Sequence, residues 1–281
     1  YKISFFQYFN KLCIWFIFIS CSNDDNTNES NEPVLTASDF SPNTQGDYWK
    51  YNVISSSEDL PDMDFNSIDS LYVATTSSTS YTLDANNGIG ADGSMNSILT
   101  SGTLSTTNTV LSYNGALDLP IDLDIDQSLE ISDLVLLDLN ADNGAVLSSF
   151  EGTFSEDINI QGNVIPINVN YELFTAKENF YESKTINGTS YSNVYEGSLG
   201  LNLSVTGTIT FFDIDILESQ DILLINYYYG ANIGLLRAES NQGFELAPPI
   251  IALIEQTGGG GELPSSATVI GLEELSNYLI N

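Results

Sequence analysis

Carboxylates are the reactive side chains this chain holds in excess, and two of their arrangements could take up a cation. Asp118, Asp122, Asp124 and Asp126 come first, the last three alternating with Ile121, Leu123 and Ile125. In a strand those three acids share one face and the apolar residues the other. Hard oxygen ligands in a row suit calcium, but same-face neighbours stand about 6.5–7 Å apart, too far for three to close on one ion. A solvated outer face is the stronger reading, and the same holds for Asp213 and Asp215. The second arrangement is Asp138-Leu139-Asn140-Ala141-Asp142-Asn143-Gly144. Here Asp138, Asn140 and Asp142 put oxygens at alternate positions ahead of a glycine, as a calcium loop begins. The glycine falls one place late, and Ser149 stands where a bidentate glutamate belongs. A hairpin turn between Leu134–Leu139 and Ala145–Phe150 is therefore favoured, with calcium as the weaker alternative and no other cofactor expected.

Other chemistry is narrowed by what the chain lacks. It has 281 residues, 38 acidic against 6 basic, a formal charge of -32, two cysteines and no histidine. Triads, Cys-His pairs and His-ligated zinc all need imidazole and are excluded. So few cations cannot neutralise a phosphate backbone, so nucleic acid is not an expected partner. Serine-elbow, phosphate-loop and dinucleotide motifs are missing. With 38 acids, some pair will always stand at a distance suited to glycoside hydrolysis, so abundance alone identifies no active site. Aromatic residues offer a different chemistry. Trp49, Tyr227 and Tyr229 are candidate ligand-lining residues, the tyrosines within Tyr227-Tyr228-Tyr229-Gly230; packing inside a sheet is the competing reading.

The first residues address the chain rather than build it. Lys2 and Lys11 flank an aromatic stretch, and an apolar run follows from Leu12 to Ile19. Eight apolar residues match a secretion signal and fall far short of the roughly 20 that span a bilayer. The run stops at Ser20-Cys21, a small residue before a cysteine, which resembles a bacterial lipobox with Phe18 in place of the usual leucine. The resemblance implies that Cys21 is diacylated and becomes the mature N-terminus. Two acyl chains anchor stably where one binds reversibly. Ser22-Asn23-Asp24-Asp25 resembles the acidic export signal that carries lipoproteins of the Bacteroidetes to the outer face of the outer membrane.

The elements that must position any site read as strands. Residues 22 to 38 are Asn, Asp, Glu, Ser and Thr with few apolar residues, a solvated tether. From Asp47-Tyr48-Trp49-Lys50-Tyr51-Asn52-Val53 onward, period-two alternation dominates. Strands are expected at Leu71–Thr75, Thr109–Tyr113, Leu117–Ile125, Leu129–Leu139, Ala145–Phe154, Val164–Phe174, Leu199–Asp215, Ile222–Tyr229 and Ile233–Ala238. Asn86-Asn87-Gly88, Asp142-Asn143-Gly144, Gln161-Gly162-Asn163 and Asn187-Gly188 mark turns, and Pro166 suggests a sheet edge. Leu272–Ile280 fits either a short helix or a last strand. The expected organisation is a signal peptide over 1–20, a disordered acidic tether over 21–38, and a single all-β domain over 39–281 with a flexible glycine loop at 258–261.

Two stretches resemble a family. Gly46-Asp47-Tyr48-Trp49-Lys50-Tyr51 is similar to the opening strand of uncharacterised outer-membrane lipoproteins of flavobacteria and their relatives. Tyr227 to Arg237, a tyrosine-rich strand, a glycine turn and then Gly234-Leu235-Leu236-Arg237, is similar to their closing motif. The resemblance implies an antiparallel sheet curved into an open or half barrel, in the manner of the periplasmic lipoprotein carriers, and brings no activity with it. The expectation is a lipoprotein held to the outer membrane by its N-terminal lipid, on the cell surface or alternatively facing the periplasm. Its expected role is non-catalytic binding of an apolar or glycan ligand or a partner protein. A carboxylate-dependent, calcium-assisted extracellular hydrolase and a structural or adhesion protein are the competing classes.

Overall fold

Apolar and polar residues alternate through most of this chain, and the backbone follows them. A computed structural model describes residues 34–119, 128–160, 163–209, 212–257 and 264–281. Its strands are β1 (Tyr48–Ser56), β2 (Phe65–Thr76), β3 (Ser80–Ala85), β4 (Gly102–Thr106), β5 (Val110–Asp118) and β6 (Ser128–Asp138), then β7 (Val146–Ile160), β8 (Asn163–Ile186), β9 (Thr189–Ile209), β10 (Phe212–Gly230), β11 (Gly234–Glu245) and β12 (Ser266–Leu279). Helices α1 (Ala37–Phe40), α2 (Ser94–Thr100) and α3 (Pro248–Thr257) accompany them, with a 3-10 turn at Pro61–Met63. In β1, Trp49, Tyr51 and Val53 are buried while Asn52, Ile54 and Ser56 are exposed. A mostly polar outer face over an apolar interior is the reverse of the pattern of membrane-spanning barrels. Among the described residues, no helix is long and apolar enough to cross a membrane.

All twelve strands form one antiparallel sheet, in the order β6-β5-β4-β3-β2-β1-β12-β11-β10-β9-β8-β7. Each strand pairs with its neighbours in sequence, with two exceptions: β6 and β7 are the opposite edges of the sheet, and β1 pairs with β12 from Tyr48↔Leu279 to Ser56↔Ile270. The sheet rolls into a nearly closed barrel with one seam between its edges, β6 and β7. This bears out the expected all-β class and its curved, open-barrel architecture. Close rolling needs small residues beneath large ones. Gly197, Gly152 and Gly200 stand opposite Tyr227, Tyr171 and Phe174, whose rings cover them; a Cβ on Gly197 would come within 2.5 Å of the Tyr227 ring.

Among the described residues no backbone ladder crosses the seam; side chains do. Ser148 on β7 accepts the Val135 amide at 3.0 Å, and Thr175 on β8 donates to the Val135 carbonyl at 2.6 Å. Tyr227 on β10 donates to the Leu136 carbonyl at 2.6 Å, and the Asp138 amide points to the Tyr195 hydroxyl on β9 at 3.4 Å. Four backbone groups at the Val135–Asp138 end of the β6 edge are thus met by side chains from four other strands.

Several expectations are corrected here. Asp142-Asn143-Gly144 does not close a hairpin, since β6 and β7 are the two edges of the sheet and this loop carries the chain across the seam. Leu199–Asp215 is two strands rather than one, because β9 ends at Ile209 and β10 begins at Phe212 with no glycine or asparagine to mark the change. β8 has neighbours on both sides, so Pro166 marks no edge; it pairs with Asp157 and sits one residue beyond the ladder with β9, which starts at Ile167↔Gly207. Leu272–Ile280 belongs to a strand, β12, up to Leu279. Ala37 is fully buried, and Leu35–Asn281 form one compact unit. The Asn187-Gly188 turn has φ of 46° and 78°, the left-handed pair a two-residue hairpin needs, and joins β8 to β9. Gln161-Gly162, Asp122–Asp126 and the glycine loop at 258–261 lie outside the described residues.

Candidate functional site

The structure places Trp49, Tyr227 and Tyr229 inside the rolled sheet as packing residues. All three are buried in the main core. Trp49 Nε1 donates to the Ile233 carbonyl at 2.5 Å, and Tyr227 is held by its bond to Leu136. The Tyr227 and Tyr229 rings meet edge to face, centroids 5.8 Å apart. Burial raises both phenols well above their ordinary pKa, with neighbouring tyrosine and acid charge adding to it. Beside Trp49 and Tyr229 lies only a void of about 20 Å³, barely room for one water. Strand aromatics and pocket aromatics have the same sequence signature, so residue type alone does not separate packing from a ligand wall.

The calcium candidate already holds a cation of the chain's own. Lys177, buried on β8, donates from Nζ to the carbonyls of Ala141 at 2.7 Å and Leu139 at 3.3 Å. Burial lowers its pKa, while the charges of Asp138 and Asp142 act in the opposite direction. Asp138 Oδ1 accepts the Asn140 amide at 2.9 Å, an Asx turn. An ammonium of the chain's own is thus seated among the backbone carbonyls of the loop that carries Asp138, Asn140 and Asp142. Cys21 and the export signal Ser22, Asn23, Asp24 and Asp25 lie outside the described residues.

The structure brings together a site that sequence reasoning missed. Inward-facing residues at one end of β1, β11 and β12 are in register: Val53↔Glu273 and Ser55↔Gly271 across β1–β12, and Ser240↔Gly271 and Gln242↔Val269 across β11–β12. Together they floor a cleft of about 410 Å³. Leu60, Met63 and Phe65, which follow β1, form one wall, and Phe244, Pro264 and Ala267 form another. Asp92-Gly93-Ser94 lies over the inner end. A mostly apolar concavity with a few convergent polar groups is the usual form of a small-molecule site. Two other depressions, of about 430 and 630 Å³, are lined mainly by polar and acidic surface residues and offer little desolvated wall.

Two buried carboxylates fix the loop over this cleft. Asp69 on β2 accepts the amides of Asp92 and Gly93 at 2.9 Å each, and side-chain amides of Asn86 at 3.0 Å and Asn96 at 3.1 Å. Asn86 and Asn87 have φ of 52° and 59°, so the turn signal at Asn86-Asn87-Gly88 bends the chain from β3 into this loop. Glu273 on β12 accepts the Met95 amide at 2.7 Å and the Asn96 amide at 2.9 Å, capping the start of α2 with a carboxylate. Gly93 makes room for it, since a Cβ there would lie 2.7 Å from Glu273 Cγ. Burial pushes the Glu273 pKa up to about 7; the two amides oppose this and the charge of Asp69 adds to it. Beside it, Gln242 Nε2 donates to Ser94 Oγ at 2.6 Å, and the Ser94 and Ser240 hydroxyls are 3.1 Å apart. The cleft is therefore greasy along its walls and polar at its inner end. Glu273 could not be singled out in the sequence, because its partners lie more than 170 positions away.

Compared with known proteins, the chain matches no family model, no curated protein and no solved structure.

Proposed function

We propose that this protein is a lipid-anchored outer-membrane binding module that holds a small, largely apolar molecule in the cleft between β1, β11, β12 and the Asp92–Ser94 loop. The observation that carries this reading is the cleft itself. Its volume of about 410 Å³ falls within the usual range for small-molecule sites, its walls are apolar, and its inner end holds hydrogen-bonding groups that can orient a ligand. The sheet's curvature supports the reading, since it provides the concave face. The anchor rests on the Leu12–Cys21 segment and the surface location on Ser22–Asp25, in line with the resemblance to flavobacterial lipoproteins.

The uncharged fluorophore N-phenyl-1-naphthylamine tests the cleft. Its emission should rise and shift to the blue with the native protein. Val269→Trp, which fills the cleft from its floor, should abolish the change while leaving the melting temperature within a few degrees. Equal fluorescence with both proteins would place the probe elsewhere and sink the reading. The anchor has its own test: a clickable palmitate analogue should label the wild type and not Cys21→Ser.

A further inference from the structure

Resting on the reading of the cleft as a binding site, we infer that its ligand is an amphipathic amine, with an apolar body against Leu60, Met63, Phe65 and Phe244 and a protonated nitrogen at Glu273 and Asp92. The argument is one of charge complementarity. Among the described residues the cleft is lined by two carboxylates, Glu273 at its floor and Asp92 at its exposed rim, and by no basic side chain. The cations of the described residues are engaged or directed elsewhere. Lys177 is buried among loop carbonyls at the seam. Lys184 lies 3.9 Å from the Tyr181 ring and 4.4 Å from the Tyr228 ring, and Arg237 is paired with Glu239 and Glu274. Lys50 belongs to the set of β1 residues that alternates with the inward Trp49 and Tyr51.

A fatty acid or other anionic head would therefore enter a site with no countercharge, in a chain of formal charge -32. A neutral head could hydrogen-bond to the hydroxyls, the amide or a carboxylate oxygen, but would bring no charge to pair with the two acids. A cationic head gains most. Each Glu273 oxygen accepts one backbone amide, and an ionised carboxylate has about four acceptor positions, so lone pairs remain for an ammonium. The helix start that would otherwise favour an anion is already capped by Glu273 itself.

Glu273 also makes this preference depend on pH. The groups that bear on it are Asp69 on β2, the Met95 and Asn96 amides of α2, and the Tyr51 and Tyr229 hydroxyls on β1 and β10; Asp92 shares the cleft. Burial raises the pKa of Glu273 toward neutrality, to about 7. Between pH 6 and 8 an alkylamine stays protonated while Glu273 gains its charge, so amine affinity should rise and affinity for an alcohol should not.

The experiment measures decylamine, decanol and decanoate on the full-length protein, by calorimetry and by displacement of N-phenyl-1-naphthylamine at pH 6, 7 and 8. The expected result is decylamine bound at least tenfold more tightly than decanol at pH 8, a smaller margin at pH 6, and decanoate weakest. Glu273→Gln should cut most of the margin between decylamine and decanol and remove its pH dependence, leaving only the part that Asp92 supplies. Asp92→Asn, a rim substitution that leaves the fold untouched, should lower the margin severalfold, and it decides the matter if the Glu273 variant does not fold. Decanol binding with decylamine no tighter, or decanoate tightest, would overturn the amine assignment while leaving the cleft a binding site. Failure of the fluorophore and all three ligands to bind would overturn both.

Discussion

Glu273 holds the clearest pH signature in the molecule. An acid whose pKa rises from 4.5 to about 7 on folding keeps its proton in the native state over a range where the unfolded chain has lost it. Stability from this group is therefore full below pH 4.5, falls as pH rises, and is lost above 7, a difference on the order of 3 kcal/mol. Glu273→Gln cannot titrate, although it loses one amide acceptor and will be less stable at pH 5. Urea unfolding at pH 5 and pH 8 should show the gap between wild type and variant moving toward the variant by about 2–3 kcal/mol. Parallel pH curves would mean that the native carboxyl is ionised throughout. At this scale the sequence was a poor guide. Trp49, Tyr227 and Tyr229 stood out by type and turned out to be packing residues, whereas Glu273 looked like one of many acids. What distinguishes it is burial against α2, which depends on distant chain meeting it.

At the scale of elements, alternation located most strands, and its failures have specific causes. β3 and β4 have only 6 and 5 residues and are rich in Ser and Thr, too short for a convincing period. α2 has no acidic residue in its first turn; its cap is a side chain from β12, so no local signal announces it. The loop at Asp138–Gly144 was legible as a turn but not as the crossing between sheet edges, because its cation, Lys177, comes from β8. The side chains that cross the seam can be tested singly. Thr175→Val keeps the shape but strips the Val135 carbonyl of its donor, and should lower unfolding free energy by about 1–3 kcal/mol. Ser148→Ala should speed hydrogen exchange at the Val135 amide, with β8–β9 amides still protected. Unchanged exchange at Val135 would show that the seam is held by other contacts.

For the whole molecule, composition and pattern were enough to expect an antiparallel all-β body, yet they left the connectivity open, since period-two alternation says nothing about which strand meets which. That connectivity has one consequence for assembly. Every strand folds back on its predecessor except at two places: β1, which must wait for β12, and β6 and β7, which follow one another in sequence but never pair. A chain emerging from its N-terminal side can stack β1 through β6 early, but β1 keeps a bare flank until the last strand arrives. Relocating the break should remove that delay. A circular permutant that begins at Asn143, ends at Asp142 so as to keep the carbonyls around Lys177, and joins Asn281 to Leu35 through a glycine-serine linker would become a plain meander from β7 to β6. Its mean sequence separation of contacts is lower, and stopped-flow refolding should run severalfold faster than for the native order. An equal or slower rate would place the bottleneck in the seam rather than in the long wait of the first strand for the last.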